Sequence, residues 1–108
     1  MVRLTVLYNL APDQKEEEFL AWRLGAHQAE NASQPGVLRT DFAQVVGSWP
    51  DGAPQPWRFM TTADWPDMET FRAAFYESGM QAEMFNNLSL LAEPVFLVTE
   101  ILASEDKR

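Results

Sequence analysis

The sequence predicts an α+β fold, a split βαββαβ unit carrying a four-stranded antiparallel sheet. Two observations lead to it. Hydrophobic periods of two and of about 3.6 residues follow one another in the order strand, helix, strand, strand, helix, strand. Together they fill residues 1–102 of 108, which makes one domain followed by a tail, 103–108, of small or charged residues expected to fray.

Val2, Leu4, Val6 and Tyr8 alternate with Arg3, Thr5, Leu7 and Asn9, the period of a first strand. Ala11-Pro12 breaks it. Asp13, with Glu16 three residues on, predicts a helix N-terminus closed by an acidic capping box, and Glu16, Glu17 and Glu18 suit the positive end of the helix dipole. Leu20, Leu24 and His27 follow the i, i+4, i+7 rule, with Phe19, Trp22 and Ala26 on an adjoining strip. The helix is therefore expected to bury a broad face that includes His27. Gln34-Pro35-Gly36 ends it. Alternation resumes over 37–47 as a second strand, with Leu38, Thr40, Phe42, Gln44 and Val46 on one face and Val37, Arg39, Asp41, Ala43 and Val45 on the other.

Residues 47–56 hold three prolines and two glycines, which forbids a tight hairpin and predicts an irregular connection with Trp49 as its anchor. Residues 57–63 are aromatic and β-branched and read as a third strand. Pro66-Asp67 opens a second helix whose apolar stripe is Met68, Phe71 and Phe75. Ser78-Gly79 interrupts that helix, and Met80, Met84, Phe85, Leu88 and Leu91 continue as a further helical piece. Pro94 stops it, and residues 95–102 form the last strand.

Eight Lys and Arg against sixteen Asp and Glu give a net charge of −8, which repels phosphate backbones and anionic lipid and argues against nucleic-acid or membrane partners. There is no cysteine, which excludes disulfides and thiolate sites and suits a cytoplasmic location. The first ten residues enter a strand directly and lack the pattern of a signal peptide. One histidine without cysteine cannot close a zinc site, no glycine-rich phosphate loop is present, and a single histidine is thin support for haem. The expectation is a protein with no metal and no cofactor.

Right-handed β-α-β crossovers put both helices on one face of the sheet. Leu7, Val37, Val45, Leu97 and Ile101 cannot all be accommodated there, since in each strand they or their neighbours point away from it. A monomer would expose a hydrophobic sheet face, and face-to-face pairing of two sheets in a homodimer removes it.

The segment Phe19-x-x-Trp22-x-x-x-x-His27, followed by Pro35-Gly36, resembles the signature of EthD-like proteins in the dimeric α+β barrel superfamily. The resemblance extends to the passage 63–75 and to the closing Glu93-Pro94-Val95-Phe96-Leu97-Val98. It implies a ferredoxin-like subunit and a homodimer. The family often has proline two residues after the histidine; Ala29 stands there in this chain and leaves the helix end less sharply defined.

His27 is the sole histidine and the only side chain whose ordinary pKa permits proton transfer near neutrality. A lone helical histidine is more often structural or simply exposed. The resemblance favours the catalytic reading, because in EthD-like proteins and the similar methylmuconolactone isomerases the matching histidine faces a pocket between helix and sheet. Asp41 and Glu100 are strand carboxylates that would fix the imidazole, although for Asp41 an ion pair with Arg39, Arg58 or Arg3 is the simpler reading. Tyr8, Trp22, Phe42, Trp57, Phe59 and Phe75 would line an apolar pocket or fill the core, and aromatic residues are only 12% of the chain, so most must be core. Met80 and Met84 read as packing. The function expected is binding of a small, largely apolar organic molecule, with cofactor-free isomerisation or cyclisation through His27 implied by the resemblance. Two alternatives stand beside it: a non-catalytic ligand-holding or partner module of a degradative pathway, and a cofactor-free monooxygenase.

Overall fold

Alternation along the first strand sorts the whole sheet into two faces. The computed structural model describes residues 1–107, and its elements are β1 (Val2–Leu10), α1 (Glu16–Trp22), α2 (Gln28–Ala32), β2 (Arg39–Gln44), β3 (Phe59–Trp65), α3 (Met68–Phe75), α4 (Ser78–Asn87) and β4 (Leu91–Glu100). A kinked turn, Arg23–His27, joins α1 to α2, and a 3-10 turn, Leu88–Leu90, joins α4 to β4. The strands form one antiparallel sheet in the order β2-β3-β1-β4, the ferredoxin-like arrangement. Among the described residues no helix is long and apolar enough to cross a membrane.

Val2, Leu4, Val6 and Tyr8 of β1 are buried, opposite Trp65, Ala63, Thr61 and Phe59 of β3. Phe19 of α1 and Phe71 and Ala74 of α3 pack onto this face and complete the core. The rings interleave: Phe19 lies 5.7 Å from Phe59, and Phe71 stands edge-on to Trp65 at 5.1 Å. Leu7, Met60, Val95 and Leu97 occupy the opposite face, in register with one another or with their neighbours, and the Arg3–Asp64 (2.7 Å) and Arg39–Asp41 (2.9 Å) ion pairs fringe them.

The structure corrects several sequence expectations. Asp13 caps nothing: residues 11–14 form a turn closed by the Gln14 amide on the Ala11 carbonyl (2.9 Å), so α1 starts at Glu16 with Lys15 before it. Leu24 is exposed rather than buried, because the kink at Gly25 leaves it outward and brings Arg23 in. Val37 packs against the core instead of the far face, since it lies ahead of β2 where strand alternation has not begun. β4 starts at Leu91, well before Pro94. A bulge absorbs the proline: Glu93 takes positive φ (54°) and the register with β1 shifts between Leu7 and Asn9. Trp49 is 89% exposed and anchors nothing within the subunit. The 47–56 connection is held at its C-terminal end instead, where Asn9 donates to the Pro56 carbonyl (2.7 Å) and accepts from the Arg58 amide (2.8 Å). Of the tail 103–108, residues 103–107 carry no regular structure and Arg108 lies outside the described residues.

Pro35-Gly36 turns the chain from the first helical layer into β2. Trp65 donates its indole N–H to the Pro35 carbonyl (3.0 Å), and Gly36 sits at φ 77° with the Thr70 methyl group where a Cβ would have to go. Gly36→Ala is therefore expected to lower unfolding stability by about 1–3 kcal/mol, measured by urea titration. Adding Thr70→Ser, which deletes that methyl group, should recover the steric part and leave the backbone part.

Candidate functional site

The site begins with an irregularity in the first helix. Over Arg23–His27 the helix is kinked: Gly25 leaves helical backbone values (φ −96°, ψ −107°) and separates α1 from α2. The kink brings side chains five apart together. Trp22 and His27 stack with ring centroids 4.2 Å apart and planes 21° from parallel. Between them Arg23 turns inward and is only 2% exposed. Ala29, in place of a proline, lets the chain return to helix as α2.

Arg23 reaches down to the sheet. Its guanidinium donates to Gln28 Oε1 (2.6 Å) and Thr61 Oγ1 (3.2 Å) and lies over the Phe42 ring, 4.4 Å from the centroid. The Tyr8 hydroxyl shares Thr61 Oγ1 at 3.1 Å. Among the described residues no carboxylate forms an ion pair with Arg23. Burial pulls its pKa down, and the nearby Tyr8 oxygen opposes this.

The His27 side chain is 16% exposed. Its Nδ1 is buried without a hydrogen-bond partner, and the nearest acidic oxygen, Glu30 Oε2, stands 3.4 Å away in a geometry that makes no hydrogen bond. Burial, and then the Arg23 charge, push the imidazole pKa below its ordinary 6.5, while Glu30 pulls it back up. A desolvated site with a cation close by thus favours the neutral form of His27.

Trp22, Arg23 and His27 form one wall of a cavity of about 100 Å³ between the helical layer and the sheet. Leu4, Val6, Tyr8 and Thr61 make its floor. Met80, Glu83, Met84 and Asn87, spaced on one face of α4, make its roof, and the exposed carboxylates of Glu30 and Glu83 lie at the rim. Burial raises the Glu83 pKa, with Glu30 adding to the shift.

Tyr8, Trp22 and His27 of the sequence-derived candidates lie on the cavity wall. Phe42 and Phe59 are stacked behind it, 5.5 Å apart. Phe75 packs against Phe71 and Tyr76, away from the cavity, and Trp57 donates its indole N–H to the Glu93 carbonyl (3.1 Å). Asp41 points to the opposite face of the sheet, paired with Arg39, and Glu100 is an exposed residue at the end of β4. Neither fixes the imidazole. Arg23, Glu30 and Glu83 were not singled out by the sequence, because a regular helix would have turned Arg23 to solvent. Gly25 in mid-helix was the one available sign of the irregularity.

The geometry defines a class, a ferredoxin-like α+β protein with a histidine-walled pocket between its helices and its sheet. The sequence profile of the family described as REDY-like protein HapK matches residues 2–102, and the chain belongs to that family. No curated protein matches the sequence. Among solved structures the chain is similar to HapK from Hahella chejuensis, with 22% identity, 100% of this chain and 99% of that one covered, and a TM-score of 0.72. An ethyl tert-butyl ether D (EthD) family protein from Bacillus halodurans C-125 is 20% identical over 94% of this chain and 99% of its own, TM-score 0.72. This agrees with the EthD-like, dimeric α+β barrel resemblance seen in the sequence. SnoaB, a cofactor-independent oxygenase from Streptomyces nogalater, is 16% identical over 95% of this chain and 94% of its own, TM-score 0.70.

The folded pKa of His27 lies below its ordinary 6.5, so below that value the unfolded chain binds more protons than the native one. Neutral His27 therefore contributes stability that is complete above 6.5 and is lost as pH falls through it toward the folded pKa. NMR titration of the ring should show this depressed value, with Glu30→Gln lowering it further because the one group that raises it is gone. Stability of His27→Asn should lack the corresponding pH slope.

Proposed function

We propose that the protein binds a small, largely apolar organic molecule in the pocket under α4 and moves a proton on it without a cofactor, with His27 as the base. The observation that carries this reading is a largely buried histidine, its pKa pushed down by desolvation, on the wall of a cavity lined mostly by apolar side chains. A proton on Nδ1, directed toward Glu30, would leave the Nε2 lone pair as the basic site. Trp22 fixes the ring plane by stacking, and the apolar walls keep out water that would compete for the proton.

The cavity of about 100 Å³ is smaller than the ~300–1,000 Å³ of a typical ligand site. A ligand larger than one ring therefore needs Met80 and Met84 to change rotamer, which thioether chains do readily. The substrate class that suits this reading is a monocyclic ketone or lactone undergoing isomerisation or cyclisation. The fold shared with SnoaB favours oxygenation as a second reading, in which the same base would generate a carbanion for reaction with dioxygen.

Deuterium exchange tests the base. In D₂O, a monocyclic ketone or lactone that binds should take up deuterium at the carbon next to its carbonyl with the wild-type protein and not with His27→Asn. The wild-type rate should fall as pH drops through the His27 pKa. Binding without uptake by the wild type would leave a ligand-holding module and end the proton-transfer reading.

The second element of the proposal is a homodimer through the outer sheet face, where Leu7, Met60, Val95 and Leu97 lie and Leu97 is 46% exposed. Sedimentation equilibrium should return twice the 12.3 kDa chain mass for the wild type. Leu97→Glu, which puts a charge in that face, should return the monomer mass. A wild-type monomer at high protein concentration would overturn the pairing.

A further inference from the structure

In the proton transfer proposed above Arg23 only helps lower the His27 pKa, a task that needs no buried guanidinium hydrogen-bonded to the sheet, yet it is among the most deeply buried side chains of the protein. Its neighbours are Gln28, Thr61, the Tyr8 hydroxyl and the Phe42 ring, all without formal charge. Desolvating a guanidinium costs several kcal/mol in general, and buried cations are ordinarily matched by a carboxylate or a ligand. Nothing in the described chain supplies that match, although the protein as a whole carries a formal charge of −8. The acidic groups of the pocket, Glu30 and Glu83, stand at the rim in contact with solvent.

We propose that Arg23 is the recognition site for an anionic oxygen of the ligand, so that the molecule taken up is an organic acid with a carboxylate, phenolate or enolate group. This rests on the pocket reading above and specifies its ligand. The guanidinium, with the Tyr8 hydroxyl beside it, forms a donor-rich floor on the sheet side, suited to a charged oxygen. The arrangement also orients the ligand. Its acidic head lies inward at Arg23, away from the repelling rim carboxylates, and its apolar body passes Trp22 and His27 toward Met80 and Met84.

Benzoate and its neutral isostere benzamide are the probes, titrated into labelled protein and followed by ¹H–¹⁵N spectra. Benzoate should bind the wild type about tenfold or more tightly than benzamide, the worth of one charge-assisted bond. Shifts should centre on Tyr8 and Thr61, and the preference should persist when salt is raised, as expected of a buried pair. Arg23→Gln should bring the two affinities to within about twofold by weakening benzoate alone. Equal binding of both probes to the wild type would overturn the anion site and leave the pocket standing. Binding of neither would overturn the pocket, and the anion site with it. If Arg23→Gln does not fold, the wild-type preference and the location of the shifts decide the matter: benzoate bound away from Tyr8 and Thr61 overturns the proposal.

Discussion

At 3.6 residues per turn, side chains five apart stand about 140° from each other around the helix axis, and Trp22 and His27 could not meet. The kink at Gly25 removes that separation. By breaking the helix between Arg23 and His27 it lets Trp22 stack on His27, turns Arg23 toward the sheet and leaves Leu24 in solvent. The arrangement of side chains around the pocket depends on this local break. An unbroken α-helix of the same composition would offer the sheet a leucine where the guanidinium now sits.

The sheet is the rigid part of the arrangement. β1 runs between β3 and β4, and its even-numbered residues supply both the core and the floor of the cavity. Thr61, hydrogen-bonded diagonally across the strands to Tyr8, receives Arg23 from above, while the Phe42 ring lies under the guanidinium and stacks on Phe59. The position of the guanidinium is thus fixed by strand register, and the position of the imidazole by a stacked indole. Two different kinds of contact hold the two side chains, so neither is held by the other.

Element order and the buried row of β1 were legible in the sequence because alternation by two is unambiguous when one face is covered. Ends and irregularities were less so. Pro94 reads as a stop, yet an edge strand with a bulge tolerates it. Asp13 and Glu16 have capping-box spacing, but the turn after Pro12 uses up the residues that would have formed the first helical turn. Tyr8, Trp22 and His27 could be named as pocket candidates from their faces and the family signature. Arg23 could not, since the 3.6-residue period assigns it to solvent and only the glycine two positions on hints that the period fails. Asp41 could be placed as well: its strand parity puts it on the far side of the sheet, where the ion pair with Arg39 is the simpler reading than a contact with the imidazole.

α4 contains no buried residue, although four of its side chains roof the cavity. Its start is secured locally, by the Glu77 carboxylate accepting the Gly79 and Met80 amides at 2.8 Å, rather than by the core. The segment that roofs the cavity is therefore nearly independent of the segment that decides whether the chain folds. Substitutions in residues 78–87 can reshape the roof at little cost to the core. In evolutionary terms, cavity shape and foldability are carried by separate stretches of sequence, and a lineage can vary the roof through this one helix while the guanidinium and the imidazole stay where the sheet and the kink at Gly25 hold them.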